Sequence, residues 1–140
     1  MPTAIVTVDA GLDILMPPYF VANDVKLKLF VNDYTPLRTS TAGAFTEAAG
    51  GGYALKTLTA NTHTVQTATT PHDINWGSQA WTFTGALTTN PTIYGYYVTN
   101  SAGTTVLWAQ RLDSAFTPAN NGDTLTIDPT RIQYAGGIPA

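Results

Sequence analysis

Thr92-Ile-Tyr-Gly-Tyr-Tyr-Val-Thr99, then Asn100-Ser-Ala-Gly103, then Thr104-Thr-Val-Leu-Trp-Ala-Gln-Arg111: two runs rich in β-branched and aromatic residues flank four turn formers that end in glycine. Branched and aromatic side chains suit a pleated surface, and a glycine closing a short polar link lets the chain reverse. The stretch predicts a β-hairpin.

The same signals recur on both sides of it. Val25-Lys-Leu-Lys-Leu-Phe-Val31 alternates, with Val25, Leu27 and Leu29 on one face and Lys26 and Lys28 on the other, as in a half-buried strand. In Gln79-Ala-Trp-Thr-Phe-Thr84, Trp81 and Phe83 share a face against Ala80, Thr82 and Thr84. Thr124 to Asp128 reads as a strand stopped by Pro129, and Ala4 to Val8 as a short one. Tyr53 to Thr59 also alternates, with Tyr53, Leu55 and Thr57 on one side. The threonine-rich stretch from Ala60 to Thr70 reads equally as an extended edge strand or a loop. Leu12, Leu15 and Met16 allow one or two helical turns before Pro17-Pro18 ends them. About six to eight short strands with regularly spaced turns predict an all-β fold. The expected architecture is a two-sheet antiparallel sandwich or jelly roll, with at most one short helix, formed by a single domain over residues 1–140.

Bulk composition narrows the function. A 140-residue chain with 44% hydrophobic residues can bury one self-sufficient core. Only 11% of it is charged and the formal net charge is -3; six scattered basic residues cannot neutralise a run of phosphates, which argues against nucleic acid as a partner. The chain has no cysteine, so neither disulfides nor thiolate metal sites are available. No basic, apolar leader opens the sequence, and no apolar run is long enough for a bilayer span. The expectation is a soluble protein made in a cytoplasm, with no membrane partner.

The residues that could carry chemistry do not assemble into motifs. Gly50-Gly-Gly-Tyr-Ala-Leu-Lys-Thr57 resembles a phosphate loop at a glance, but the second glycine of G-x-x-x-x-G-K-[ST] falls on Lys56 or Leu55. The dinucleotide pattern also fails, because its third glycine would be Leu55. The run reads instead as a flexible joint leading into a strand, with Lys56 facing solvent. His63 and His72 lack a third ligand at zinc spacing. The serines Ser40, Ser78, Ser101 and Ser114 sit in turn-like contexts without a nucleophile elbow, and the carboxylates are scattered singly near strand ends. Neither catalysis nor a cofactor is implied. Trp76, Trp81 and Trp108 fit a core or an interface, and they fit a sugar-stacking platform.

Leu29-Phe-Val-Asn-Asp-Tyr-Thr-Pro36, Phe45-Thr-Glu-Ala48, Gly52-Tyr-Ala54, Ile93-Tyr-Gly-Tyr-Tyr-Val-Thr-Asn100 and Gly122-Asp-Thr-Leu-Thr-Ile127, in that order, resemble small virion proteins of tailed bacteriophages, most of all capsid decoration or cement proteins. The likeness spans roughly residues 11 to 130 and is a pattern of turns and strands, not an active-site motif. It implies a non-enzymatic β-domain on the outer surface of the capsid that binds the major capsid protein and associates with itself as a dimer or trimer. Such a protein bridges neighbours by strand addition, aromatic anchors and terminal arms. The contact residues implied are Ile5, Val6 and Val8 in an apolar N-terminal segment (about 1–10), Trp76 and Trp81, and Ile138 in the tail (about 133–140). An ordinary edge strand and a loose tail are the alternative for the two ends. The alternative for the whole protein is a tail-associated or receptor-binding domain that stacks host glycans on Trp76, Trp81 and nearby tyrosines.

Overall fold

The strand-turn-strand stretch forms the centre of the molecule. In the computed structural model, which describes residues 6–7, 20, 22–60, 64–66, 72–128 and 132–134, β7 (Ile93–Asn100) and β8 (Val106–Phe116) pair antiparallel. Asn100 closes the turn: its Oδ1 accepts the Thr104 and Thr105 amides at 2.9 and 3.2 Å, while Gly103 supplies the positive φ of 77°.

The other strands among the described residues are β1 (Val6–Thr7), β2 (Val25–Phe30), β3 (Lys56–Leu58), β4 (Thr64–Gln66), β5 (His72–Asn75), β6 (Gln79–Thr82), β9 (Thr124–Ile127) and β10 (Ile132–Tyr134). They form a five-stranded sheet in the order β1-β8-β7-β2-β3, a two-stranded sheet β6-β9 and a three-stranded sheet β10-β5-β4. All pairings are antiparallel, and the fold is an all-β sandwich. Among the described residues a 3-10 turn, Ala42–Ala44, lies between β2 and β3.

Alternation decides which residues meet. Val25, Leu27 and Leu29 of β2, Tyr96 and Val98 of β7, and Leu107 and Trp108 of β8 form the inner face of the large sheet; Trp81, Phe83 and Ile127 pack onto it from the β6-β9 layer. A shift in register between Val98 and Thr99 places one extra residue in β8. Such a bulge breaks the two-residue period, which is how the consecutive Leu107 and Trp108 both reach the inner core. Trp108 is fully buried, with Phe20 edge-on at 6.1 Å and Trp76 stacked at 5.7 Å between ring centroids.

The outer face carries Phe30, Tyr97, Val106 and Ala109, and a strap formed by residues 32–46 covers it with Tyr34, Ala42, Ala44 and Phe45. Phe45 stacks on Tyr97 with 4.7 Å between centroids. Gly95 is required beneath Phe30, because a Cβ there would lie 2.5 Å from the Phe30 ring and 2.3 Å from Gln110 O.

Several expectations change. Tyr53, Leu55 and Thr57 do not share a buried face: the strand is only Lys56–Leu58, Leu58 is its core residue and Leu55 is 39% exposed. The glycine run occupies the preceding residues with a turn, so the alternation starts later than the sequence suggests. Part of the threonine-rich stretch is strand, as β4. His72 to Asn75 forms β5, and β8 extends to Phe116 rather than ending near Arg111. The helical turns expected at Leu12 to Met16 lie outside the described residues.

Candidate partner-contact surface

The first and last described strands each lie at the margin of a sheet. β1 is outermost in the five-stranded sheet, with Val6 opposite Ala109 and Thr7 opposite Trp108. β10 is outermost in the three-stranded sheet, with Ile132 opposite Ile74 and Tyr134 opposite His72. Val6 therefore pairs within its own chain. Ile5, Val8 and Ile138 lie outside the described residues.

The two tryptophans expected at a contact surface turn inward. Trp81 is 4% exposed and donates its indole Nε1–H to Ala54 O at 2.8 Å, with the Lys56 ammonium 5.1 Å above its ring. Its face is thus occupied by the chain's own cation, and its polar edge is satisfied by Ala54 O. Trp76 is half-buried, edge-on to Phe20 at 5.1 Å and stacked on Trp108. Lys56, expected to face solvent, is half-buried over Trp81.

The glycine run is a fixed joint. Gly50, Gly51 and Gly52 all take positive φ (79°, 57° and 77°), which only glycine adopts without strain. The run lies against residues 84–88: Thr84 N donates to Gly51 O at 2.9 Å and Thr88 N to Ala49 O at 2.7 Å. A Cβ on Gly51 would lie 2.5 Å from Gly85 O. Close backbone packing, rather than flexibility or phosphate binding, accounts for the three glycines.

Polar side chains pin the strap. Asn32 donates from Nδ2 to Ala44 O (2.9 Å) and accepts Thr46 N at Oδ1 (2.8 Å), which fixes both ends. Arg111 pairs with Asp33, donates to Tyr34 O (3.1 Å) and lies over the Tyr94 ring, its Cζ 5.2 Å from the centroid. At the sheet margin, the Tyr53 hydroxyl accepts Leu29 N (3.2 Å) and donates to Glu47 Oε1 (3.1 Å), while Lys28 Nζ is 3.0 Å from Glu47 Oε2. Burial, opposed by the Leu29 amide and reinforced by Glu47, pushes the Tyr53 hydroxyl well above its ordinary 10.0. The sequence marks Asn32 only as the first residue of a turn-forming run to Pro36, and no signal marked the backbone partners of Asn32 and Arg111, which come close only on folding.

A polar hollow of about 150 Å³ opens where β8 leaves its β7 pairing, between Gly95↔Arg111 and Ile93↔Phe116. Tyr96, Gln110, Asp113, Thr126 and Asp128 are among the residues that line it. The Tyr96 hydroxyl donates to Gln110 Oε1 at 2.7 Å, and burial together with the Asp128 charge raises its pKa. The hollow is well below the roughly 300 Å³ at which drug-sized ligand pockets begin. Among the described residues no three potential metal ligands cluster, and no helix is long and apolar enough to cross a membrane.

No family model matches the chain, and comparison with curated proteins and with solved structures returns no significant match.

Proposed function

We propose that this chain is a non-enzymatic structural protein of a tailed-phage virion. In this reading it is a head decoration protein that binds the major capsid protein on the outer surface of the shell, with further copies of itself as neighbours. The sequence resemblance across roughly residues 11 to 130 supplies the class. The observation that carries the mode of action is the placement of β1 and β10, the first and last described strands, each at the margin of a sheet. Strands at sheet margins can be extended by a neighbour's strand, where backbone hydrogen bonds supply affinity and alternate side chains supply specificity. The large sheet itself is packed on both faces by its own chain. Large apolar side chains exposed among the described residues amount to Leu37 and Leu55, so contact through edges and arms fits better than contact through an open apolar face.

The glycan-binding alternative draws less support. Stacking a sugar needs an open aromatic face, and Trp81 is buried under Lys56 while Trp76 lies against Trp108.

Cosedimentation with undecorated, expanded shells of the encoding phage tests the proposal. Saturable binding that weakens when residues 135–140 are removed is the expected result. Absence of saturable binding by the full chain, with glycan binding that Trp81→Ala abolishes, would replace this reading with the receptor-binding one.

A further inference from the structure

The sequence contains one Asn-Gly pair, Asn121-Gly122, in the exposed turn that leads into β9. This pair is the dipeptide most prone to deamidation, since glycine places no side chain in the way of its own backbone nitrogen. The nitrogen of Gly122 would attack Cγ of Asn121, losing its proton to solvent; the Cγ–Nδ2 bond breaks and ammonia leaves a five-membered succinimide. Water then opens the ring at either carbonyl, giving aspartate or isoaspartate at residue 121.

We propose that Asn121 is a latent deamidation site that the native turn holds in check, released only when this end of the sandwich opens. The nucleophile is already engaged: Gly122 N donates to Phe83 O at 2.8 Å. Losing that proton, or rotating the nitrogen toward Asn121, breaks a hydrogen bond to a carbonyl whose residue is fully buried. The neighbouring residues hold the same geometry. Phe83 N donates to Asp123 O at 2.7 Å, and Asp123 Oδ2 accepts both Ala119 N and Asn120 N at 2.8 Å. The chain approaching Asn121 and the chain leaving it are therefore both fixed. Were isoaspartate to form, one extra backbone carbon and one negative charge would enter the link that anchors Phe83, and the β6-β9 layer would lose its closing turn.

The test compares isoaspartate formation at residue 121, read by peptide mapping and mass, in the full chain folded and unfolded in urea at one mildly alkaline pH and temperature. The folded chain should react at least roughly tenfold more slowly, as for chemistry gated by a local opening. Asp123→Ala removes both contacts to the Ala119 and Asn120 amides and should move the folded rate toward the unfolded one. Equal rates in the folded and unfolded wild-type chain would overturn the proposal, as would a folded Asp123→Ala variant that reacts no faster. Hydrogen exchange at the Gly122 amide provides a check that needs no variant: protection is expected, and exchange as fast as in the unfolded chain would contradict it.

Discussion

The inner face of the five-stranded sheet is covered by strands, and the outer face by a strap. Inside, side chains from β2, β7 and β8 meet Trp81, Phe83 and Ile127 in one hydrophobic cluster. Outside, an aromatic group led by Phe45 on Tyr97 is held down by Asn32, Arg111 and the Tyr34–Ser40 hydroxyl pair at 2.7 Å. Burial spread over several strands is cooperative, whereas a strap with a few pegs can open by itself. The same sheet thus has one face that defines global stability and one that can be released locally.

Truncating the inner anchor should cost most. Trp108→Ala is expected to lower unfolding free energy by about 3–5 kcal/mol in urea titration, since Trp108 is fully buried among Phe20, Trp76 and the β2 and β7 side chains. A loss under about 1 kcal/mol would mean that the inner face is not the anchor. Gly95→Ala probes the tightest point of the outer face and should cost about 1–3 kcal/mol, because the methyl group must displace the Phe30 ring and Gln110 O. Asn32→Ala should cost about 1–2 kcal/mol and loosen the strap, seen as faster exchange at the Thr46 amide with β7 amides still protected. Arg111→Gln should cost no more than about 1 kcal/mol, since Asp33 is 69% exposed and the pair is screened by solvent.

The remaining effect is a loss of stability confined to alkaline pH. Burial raises the hydroxyls of Tyr53, Tyr96 and Tyr97 above their ordinary 10.0, with Glu47 adding to the effect at Tyr53 and Tyr97 and Asp128 at Tyr96. The unfolded chain ionises first, so the stabilisation is complete below pH 10.0 and is lost as pH rises from there toward the raised folded values. Ultraviolet titration should show these three tyrosines ionising together with unfolding.

The contrast between the faces also marks what the sequence could disclose. The β7-β8 hairpin was legible from its branched and aromatic runs around a glycine-closed turn, and the inward set Val25, Leu27 and Leu29 and the Trp81–Phe83 pair from the two-residue period of a strand. The strap was not, because residues 32–46 bend repeatedly and touch the sheet through Tyr34 and Phe45 at no fixed spacing. The bulge that brings Leu107 and Trp108 to one face left no signal, since an extra residue in β8 is defined only against its partner. At the glycine run the sequence disclosed a joint, but its rigidity depends on residues 84–88, more than thirty positions away. At the candidate contact surface, the sequence marked Trp81 as an aromatic anchor. Which side of that anchor meets solvent was decided by Lys56 and Ala54 in three dimensions.

Hydrogen exchange across a urea series measures the difference between the two faces most directly. Amides of the strap, such as Ser40 bonded to Leu37 O and Ala44 bonded to Thr41 O, should exchange through local opening with little dependence on urea. Amides of β2 and β7 at Leu27 and Val98 should exchange only through global unfolding, with the full urea slope. Strap and sheet amides that share one free energy and one slope would contradict the account, because the outer face would then be as much a part of the cooperative core as the inner one.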